Sequence, residues 1–308
     1  MPRAYLTVTI DTECDKAPRW LVRKPLAFVG VTTGVRERLE PLFASFGAKG
    51  TYLVSGEVLR DPASVEVLAR SSGDLGTHLH AETVEPGAFV PDVTAAFQRD
   101  LPEPEERAKL ETLTAWFDDA FGRAPRSFRA GRFGVGKHSL RILADLGYTV
   151  ESSVTPDMDW ASAGAPGLAF HGAPTQPYHP AWDAPGTPGN CPLWEAPITI
   201  RKYWANSLPW VGSRVDPRWL RPTHASGDAL ARLARDEISA HLASGSRRPP
   251  VLTCMFHNVE IVEGLSPYAK TRGEAHRILG ALAGLLSFCA REDIATVGLS
   301  DLPEILGT

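Results

Sequence analysis

Short apolar runs alternate along the chain with longer stretches whose apolar positions recur every three or four residues. That alternation is the mark of a mostly parallel sheet wrapped by helices. The runs predicted as strands cover residues 6–11, 50–54, 75–80, 127–130, 149–152, 193–200, 251–257 and 295–298. Eight strands is the number that closes an α/β barrel. Between them, helices are predicted over 33–46, 63–71, 105–121, 137–146, 227–243 and 273–290. In the first, Val35, Leu39, Leu42, Phe43 and Phe46 fall close to i, i+3, i+4 spacing, a stripe that leans on a sheet. The rhythm breaks over residues 155–192, where eight prolines are interleaved with glycines and polar residues. Neither a helix nor a central strand tolerates that density of proline. The segment is expected as a long loop excursion over the strand ends, a functional lid or a plain insertion. No internal repeat or compositional boundary divides the chain, so one domain over residues 1–308 is expected.

Composition narrows the partners. The chain has 308 residues, 43% apolar and 22% charged, with a formal net charge of −4, and a pI near 6.2. It lacks the basic stripe that nucleic acid or an anionic membrane would require, and nucleic-acid binding is set aside. No stretch reaches the roughly 20 apolar residues of a membrane span. The first apolar run passes directly into "DTECD", which reads as a strand end rather than a signal peptide, and a cytoplasmic protein is expected. Four cysteines, Cys14, Cys191, Cys254 and Cys289, show no C-x-x-C spacing; Cys254 and Cys289, in apolar runs, are read as small hydrophobes, and Cys14 as a candidate nucleophile that ranks below the metal reading. Oligomeric state leaves no mark that can be read.

Chemistry gathers at the carboxyl ends of three predicted strands, in "TIDTE", "GTHLH" and "MFHNVE". Residues two apart on a strand point to the same side, so Asp11 and Glu13 face one cavity together, and so do His78 and His80. With His257, they form a set of carboxylates and imidazoles suited to a divalent metal that activates water. An acidic strand end facing solvent is the plain alternative for Asp11 and Glu13. Trp160, Trp194, Trp204 and Trp210 cluster around the proline-rich excursion and the sixth strand, either to stack on a ring or to pack under loops.

"TIDTE", "DLGTHLH", "FRAGRFG", "SSVTPDMDW" and "MFHNVE" followed by "SPY" resemble, in order, the motifs of the polysaccharide deacetylase (NodB-homology) family of carbohydrate esterases. The resemblance runs from Thr9 to Tyr268. It implies a distorted (β/α) barrel, one divalent metal ion (zinc first, with cobalt, nickel or manganese as alternatives), and hydrolysis of an acyl group. Asp11 matches the general base, Glu13 the metal carboxylate, His78 the first metal histidine and His257 the general acid. Arg129 matches the arginine that orients the base. The family's second metal histidine lies four residues after the first, where this chain has Glu82; His80 is expected to complete the metal site, with Glu82 as the alternative. The usual proline of the third motif is replaced by Gly131 or Arg132. Arg132, Trp160, Trp194 and Glu260 are candidates for substrate contact, Glu260 alternatively as an orienter of His257.

The activity implied is removal of an acyl group, first of all N-acetyl, from an amino sugar or glycan. Two other readings stand beside it: a metal-dependent amidohydrolase opening a cyclic ureide or imide or cleaving another small amide, and a non-catalytic carbohydrate-binding relative. The absence of histidine at position 82 supports the last.

Overall fold

Each of the eight apolar runs contributes a strand in the computed structural model, which describes residues 2–17, 20–87, 97–203 and 218–307. The strands are β1 (Ala4–Thr12), β2 (Gly50–Ser55), β3 (Asp74–Leu79), β4 (Ser127–Ala130), β5 (Val150–Glu151), β6 (Trp194–Glu195), β7 (Val251–His257) and β8 (Ile294–Thr296). All pair in parallel, in the order β7-β1-β2-β3-β4-β5-β6. Apolar residues of β1 and β7, among them Leu6, Val8, Ile10, Leu252 and Phe256, are fully buried, as expected of a sheet covered on both faces.

The barrel is distorted, and the distortion has two sources. β8 does not sit between β7 and β1. It pairs with the start of β1, Ala4 to Leu6 against Ile294 to Thr296, below the level at which β2 takes over from Val8 onward. At the other seam, the run predicted as one strand over 193–200 splits into β6 and the short strand Ile200–Arg201, because the chain must turn to reach β7. The gap is bridged by Thr199, whose N–H donates to the Thr253 carbonyl (3.0 Å) and whose Oγ1 accepts from the Thr253 N–H (2.8 Å).

The helices lie close to their predicted places. Gly30–Leu39, wound with i to i+5 bonds, continues into Glu40–Phe46, and Val35, Leu39 and Phe43 are buried against the sheet. Arg272–Arg291 opens with a capping box, in which Glu274 N–H donates to Thr271 Oγ1 and Thr271 N–H donates to Glu274 Oε2. Ile278, Leu282, Leu285 and Cys289 form its buried stripe. Among the described residues, no helix is long and apolar enough to cross a membrane.

The proline-rich excursion is ordered by its own backbone. Asp157 N–H donates to Phe170 O (2.8 Å), Phe170 N–H to Met158 O (2.9 Å) and Trp160 N–H to Leu168 O (2.9 Å). Farther on, Pro180–Ala181 and Ala184–Pro188 form an antiparallel hairpin, and Tyr178 exchanges two backbone bonds with Glu195. The segment therefore covers the outer edge of β6, which would otherwise present unpaired backbone. Leu168, Phe170 and Tyr178 are buried in the process.

One glycine in the sheet is there for close approach. A Cβ on Gly76 in β3 would lie 2.2 Å from Ser127 Oγ and 2.6 Å from the Ser127 carbonyl oxygen on β4. Gly76→Ala must push two paired strands apart and is expected to cost about 1–3 kcal/mol. A lowered urea midpoint with unchanged m-value checks this.

Candidate metal centre

β1, β3, β4 and β7 all end at one mouth, and their last residues define the site. Asp11 and His257 are register partners on β1 and β7, and His78 and Arg129 are partners on β3 and β4. Glu13 follows β1 by one residue and His80 follows β3 by one. Glu13 is fixed by Asn258, whose amide accepts from the Glu13 N–H (2.9 Å) and donates to the Glu13 carbonyl (3.0 Å).

The five side chains read from the sequence converge. Glu13 Oε1 lies 3.2 Å from His78 Nε2, 3.0 Å from His80 Nε2 and 3.8 Å from His257 Nε2. Asp11 Oδ2 lies 4.0 Å from His78 Nε2 and 3.9 Å from His257 Nε2. Ligand atoms of Glu13, His78 and His80 all fall within 4.8 Å of one another. His78 Nδ1 is 3.0 Å from the Arg129 carbonyl, an acceptor, so that nitrogen carries a proton and Nε2 is the one turned into the site. Nε2 faces a carboxylate oxygen at 3.2 Å, a gap that either a proton or a cation can bridge. Nitrogen and oxygen donors in this number suit a divalent metal ion.

Charges around the trio are individually paired. Asp11 Oδ1 accepts from Arg129 Nη1 at 2.6 Å. Arg129 is wholly buried and also donates to Ser152 O (2.7 Å), Ser152 Oγ (2.9 Å) and Thr9 Oγ1 (2.9 Å), so its direction is fixed. Burial pushes the Asp11 carboxyl up, but Arg129, with His78 and His257, holds it below its ordinary value. Glu13 Oε2 pairs with Lys16 Nζ at 2.7 Å. Burial raises Glu13, and Lys16 and the two imidazoles together bring it well below the usual carboxylate range. Burial disfavours the Lys16 ammonium, yet Glu13, Cys14 and Glu57 raise it above its ordinary value. Burial likewise lowers His80, while Glu13 and Glu82 raise it to about 9, the proton occupying the place of a cation.

His257 Nδ1 lies 2.7 Å from Glu260 Oε1, which accepts from Arg221 Nη2 at 2.6 Å, and Thr223 donates to the other oxygen. Burial pushes Glu260 up, but Arg221, His257 and Thr223 bring it down to about 2, an ionised carboxylate behind the imidazole. Glu260 is fully buried, so its place is behind His257 rather than against a substrate, a correction to the expected substrate contact.

The trio lies at the floor of a cavity of about 300 Å³. Arg132 and Trp160 line it. Trp194 does not: it is buried, with its ring 4.0 Å from that of His179 and under the Arg248 guanidinium, because its position on β6 turns it into the packing of the barrel. Trp204 and Trp210 lie outside the described residues. Glu82, at the position of the usual second histidine, accepts from Arg132 Nη2 (2.6 Å) and sits 3.4 Å from His80 Nδ1, on the far side of that ring from Glu13 Oε1. The third motif, lacking its proline, takes a left-handed turn at Arg132 and Phe133 (φ 53° and 56°), while a Cβ on Gly131 would lie 2.7 Å from Leu79 O. Such strain in non-glycine residues is held by surrounding structure, here at the edge of the cavity.

Lys16, Trp20, Glu82, Arg221 and Tyr268 join the site from loops. Trp20 lies over the His257 ring at 4.7 Å and meets Tyr268 at 5.3 Å. Phe133 stacks on Trp160 at 5.3 Å on the facing wall. Cys14 is buried with its thiol pushed up by burial and Glu57, so it is no thiolate nucleophile at neutral pH.

Neither a protein-family model nor a curated protein sequence matches the chain. Solved structures do. A candidate polysaccharide deacetylase from Mycobacterium smegmatis is 18% identical with a TM-score of 0.55, covering 99% of this chain and 91% of that one. An allantoinase is 14% identical with a TM-score of 0.56, covering 97% and 89%. A mutant of a carbohydrate esterase family 4 pseudoenzyme from Bacillus anthracis is 10% identical with a TM-score of 0.50, covering 99% and 68%. The likeness establishes the fold, the distorted (β/α) barrel of the polysaccharide deacetylases. Proteins of that fold include a pseudoenzyme, so activity has to be argued from the site.

Proposed function

We propose that the protein is a metal-dependent hydrolase that removes an acyl group, N-acetyl first, from an amino sugar or glycan. The observation that carries this reading is the convergence of Glu13 Oε1, His78 Nε2 and His80 Nε2 beside Asp11 and His257. A divalent ion held by the trio, zinc first, would supply Lewis acidity toward an acyl oxygen and toward water. Asp11, kept ionised and aimed by Arg129, accepts the proton of the attacking water. His257, aligned by Glu260, delivers a proton to the departing nitrogen. Arg132 and Trp160 contact the substrate from the rim, with the Phe133 and Trp160 faces offered to a ring.

The cavity also favours a second reading. At about 300 Å³ it is at the small end of ligand sites, sized for one ring, and an allantoinase shares the fold. A cyclic ureide or imide offers the same amide carbon to the same groups. The test begins with metal analysis of the purified protein, expected to give one divalent ion per chain after zinc loading. The loaded protein is then assayed on N-acetylated hexosamines and their oligomers against cyclic imides. Acetate release with intact imides supports the deacetylase, and ring opening alone supports the amidohydrolase. Failure to bind any divalent ion supports a carbohydrate-binding relative and removes both.

A further inference from the structure

The Lys16 ammonium is the nearest group to the metal trio that the proposed reaction does not use. Its Nζ lies 2.7 Å from Glu13 Oε2, and its side chain is 8% exposed while that of Glu13 is 3% exposed. The lysine is held from both directions. Its N–H donates to the Leu265 carbonyl at 3.0 Å, and Lys16 and Val22 form an antiparallel bridge across the loop after β1. Cys14 Sγ lies 3.8 Å from Nζ on the other side. The two oxygens of Glu13 are thus divided: Oε1 faces both imidazoles and Oε2 faces the ammonium.

That division matters because an unpaired glutamate can give a metal both of its oxygens. A bidentate carboxylate raises the coordination number and fills the position that a catalytic site must leave open. It also brings its full negative charge to the ion. An ammonium on the outer oxygen prevents the first and reduces the second, in the way that partners of metal ligands commonly tune the ion they do not touch.

We infer that Lys16 is a positioning residue that holds Glu13 to one-oxygen coordination, loosening the ion's hold in exchange for an open ligand position. The inference rests on the metal reading above and deepens it. Its sign is opposite to that of an ordinary supporting contact, since removing the lysine strengthens metal binding.

Zinc affinity of Lys16→Met, measured by competition with a chromophoric chelator, is expected to rise by roughly 10- to 100-fold over the unaltered protein. Lys16→Arg, which keeps the charge, is expected to stay within a few-fold of it. With cobalt(II) in place of zinc, Lys16→Met is expected to show weaker visible absorption, as the second Glu13 oxygen would raise the coordination number, whereas Lys16→Arg keeps the original intensity. Should Lys16→Met fail to fold by circular dichroism, Lys16→Gln removes the same charge and carries the same expectations. Affinity that is unchanged or weaker in the charge-removing variants overturns the role assigned to Lys16, as does an equal shift in Lys16→Arg. If the unaltered protein binds neither ion, it is the metal reading itself that fails.

Discussion

Asp11→Asn is expected to lower turnover by about 10²- to 10⁴-fold, the usual scale of a lost general base, while metal content stays as it was. The asparagine carbonyl still accepts from Arg129 Nη1, so the local geometry survives and only the proton acceptor is lost. His78→Ala is expected to lose both turnover and the metal. Its Nε2 is one of the three donors around Glu13 Oε1, and its Nδ1 is tied to the Arg129 carbonyl. Acetate release and elemental analysis on the same preparations separate the two outcomes. Full turnover in Asp11→Asn would dismiss Asp11 as the base, and full metal content in His78→Ala would dismiss the proposed ligand set.

Arg129→Met is expected to destabilise the fold by about 3–5 kcal/mol at neutral pH, because it strands a buried carboxylate without its partner. The pH dependence follows from the direction of the Asp11 shift. With Arg129 in place, the folded value lies below the unfolded one. The carboxylate then contributes stability above the unfolded value of about 3.9, and loses it as pH falls through the folded value. Without Arg129, burial lifts the folded value, and the folded state takes up a proton more readily than the unfolded chain. The gap between the two proteins is therefore widest near neutrality and narrows on acidification. Urea unfolding at pH 7 and at pH 4 to 5 measures it, and a gap that widens in acid contradicts the account.

What could be read in the sequence was local and periodic. Strands β1, β2, β3, β4 and β7 are short apolar runs bounded by polar residues, and each lies within two residues of its predicted limits. Asp11 with Glu13, and His78 with His80, were legible because strand geometry puts residues two apart on one side. Lys16, Arg221 and Trp20 were not, since each reaches the cavity from a loop whose path is set by tertiary contacts, and Glu82 was marked only by its place four residues after His78. Lys16 left one faint mark, a cation three residues after Glu13 in "ECDK". Arg221 left none, for its partner Glu260 is 39 residues away. Trp194 misled for a related reason: proximity in sequence to a loop-rich segment does not say which way a strand residue points. The placement of β8 was equally invisible, as periodicity counts strands without ordering them.

The paired bonds between Asn258 and the backbone of Glu13 span 245 residues of sequence. A nascent chain emerging from the ribosome holds Asp11, Glu13, His78 and His80 long before it holds Asn258 and His257. Until those last groups arrive, Arg129 can hold Asp11 and His78, but the backbone of Glu13 lacks its clamp. Metal capture at the proposed site is thus expected to be deferred until the chain has been released through Asn258.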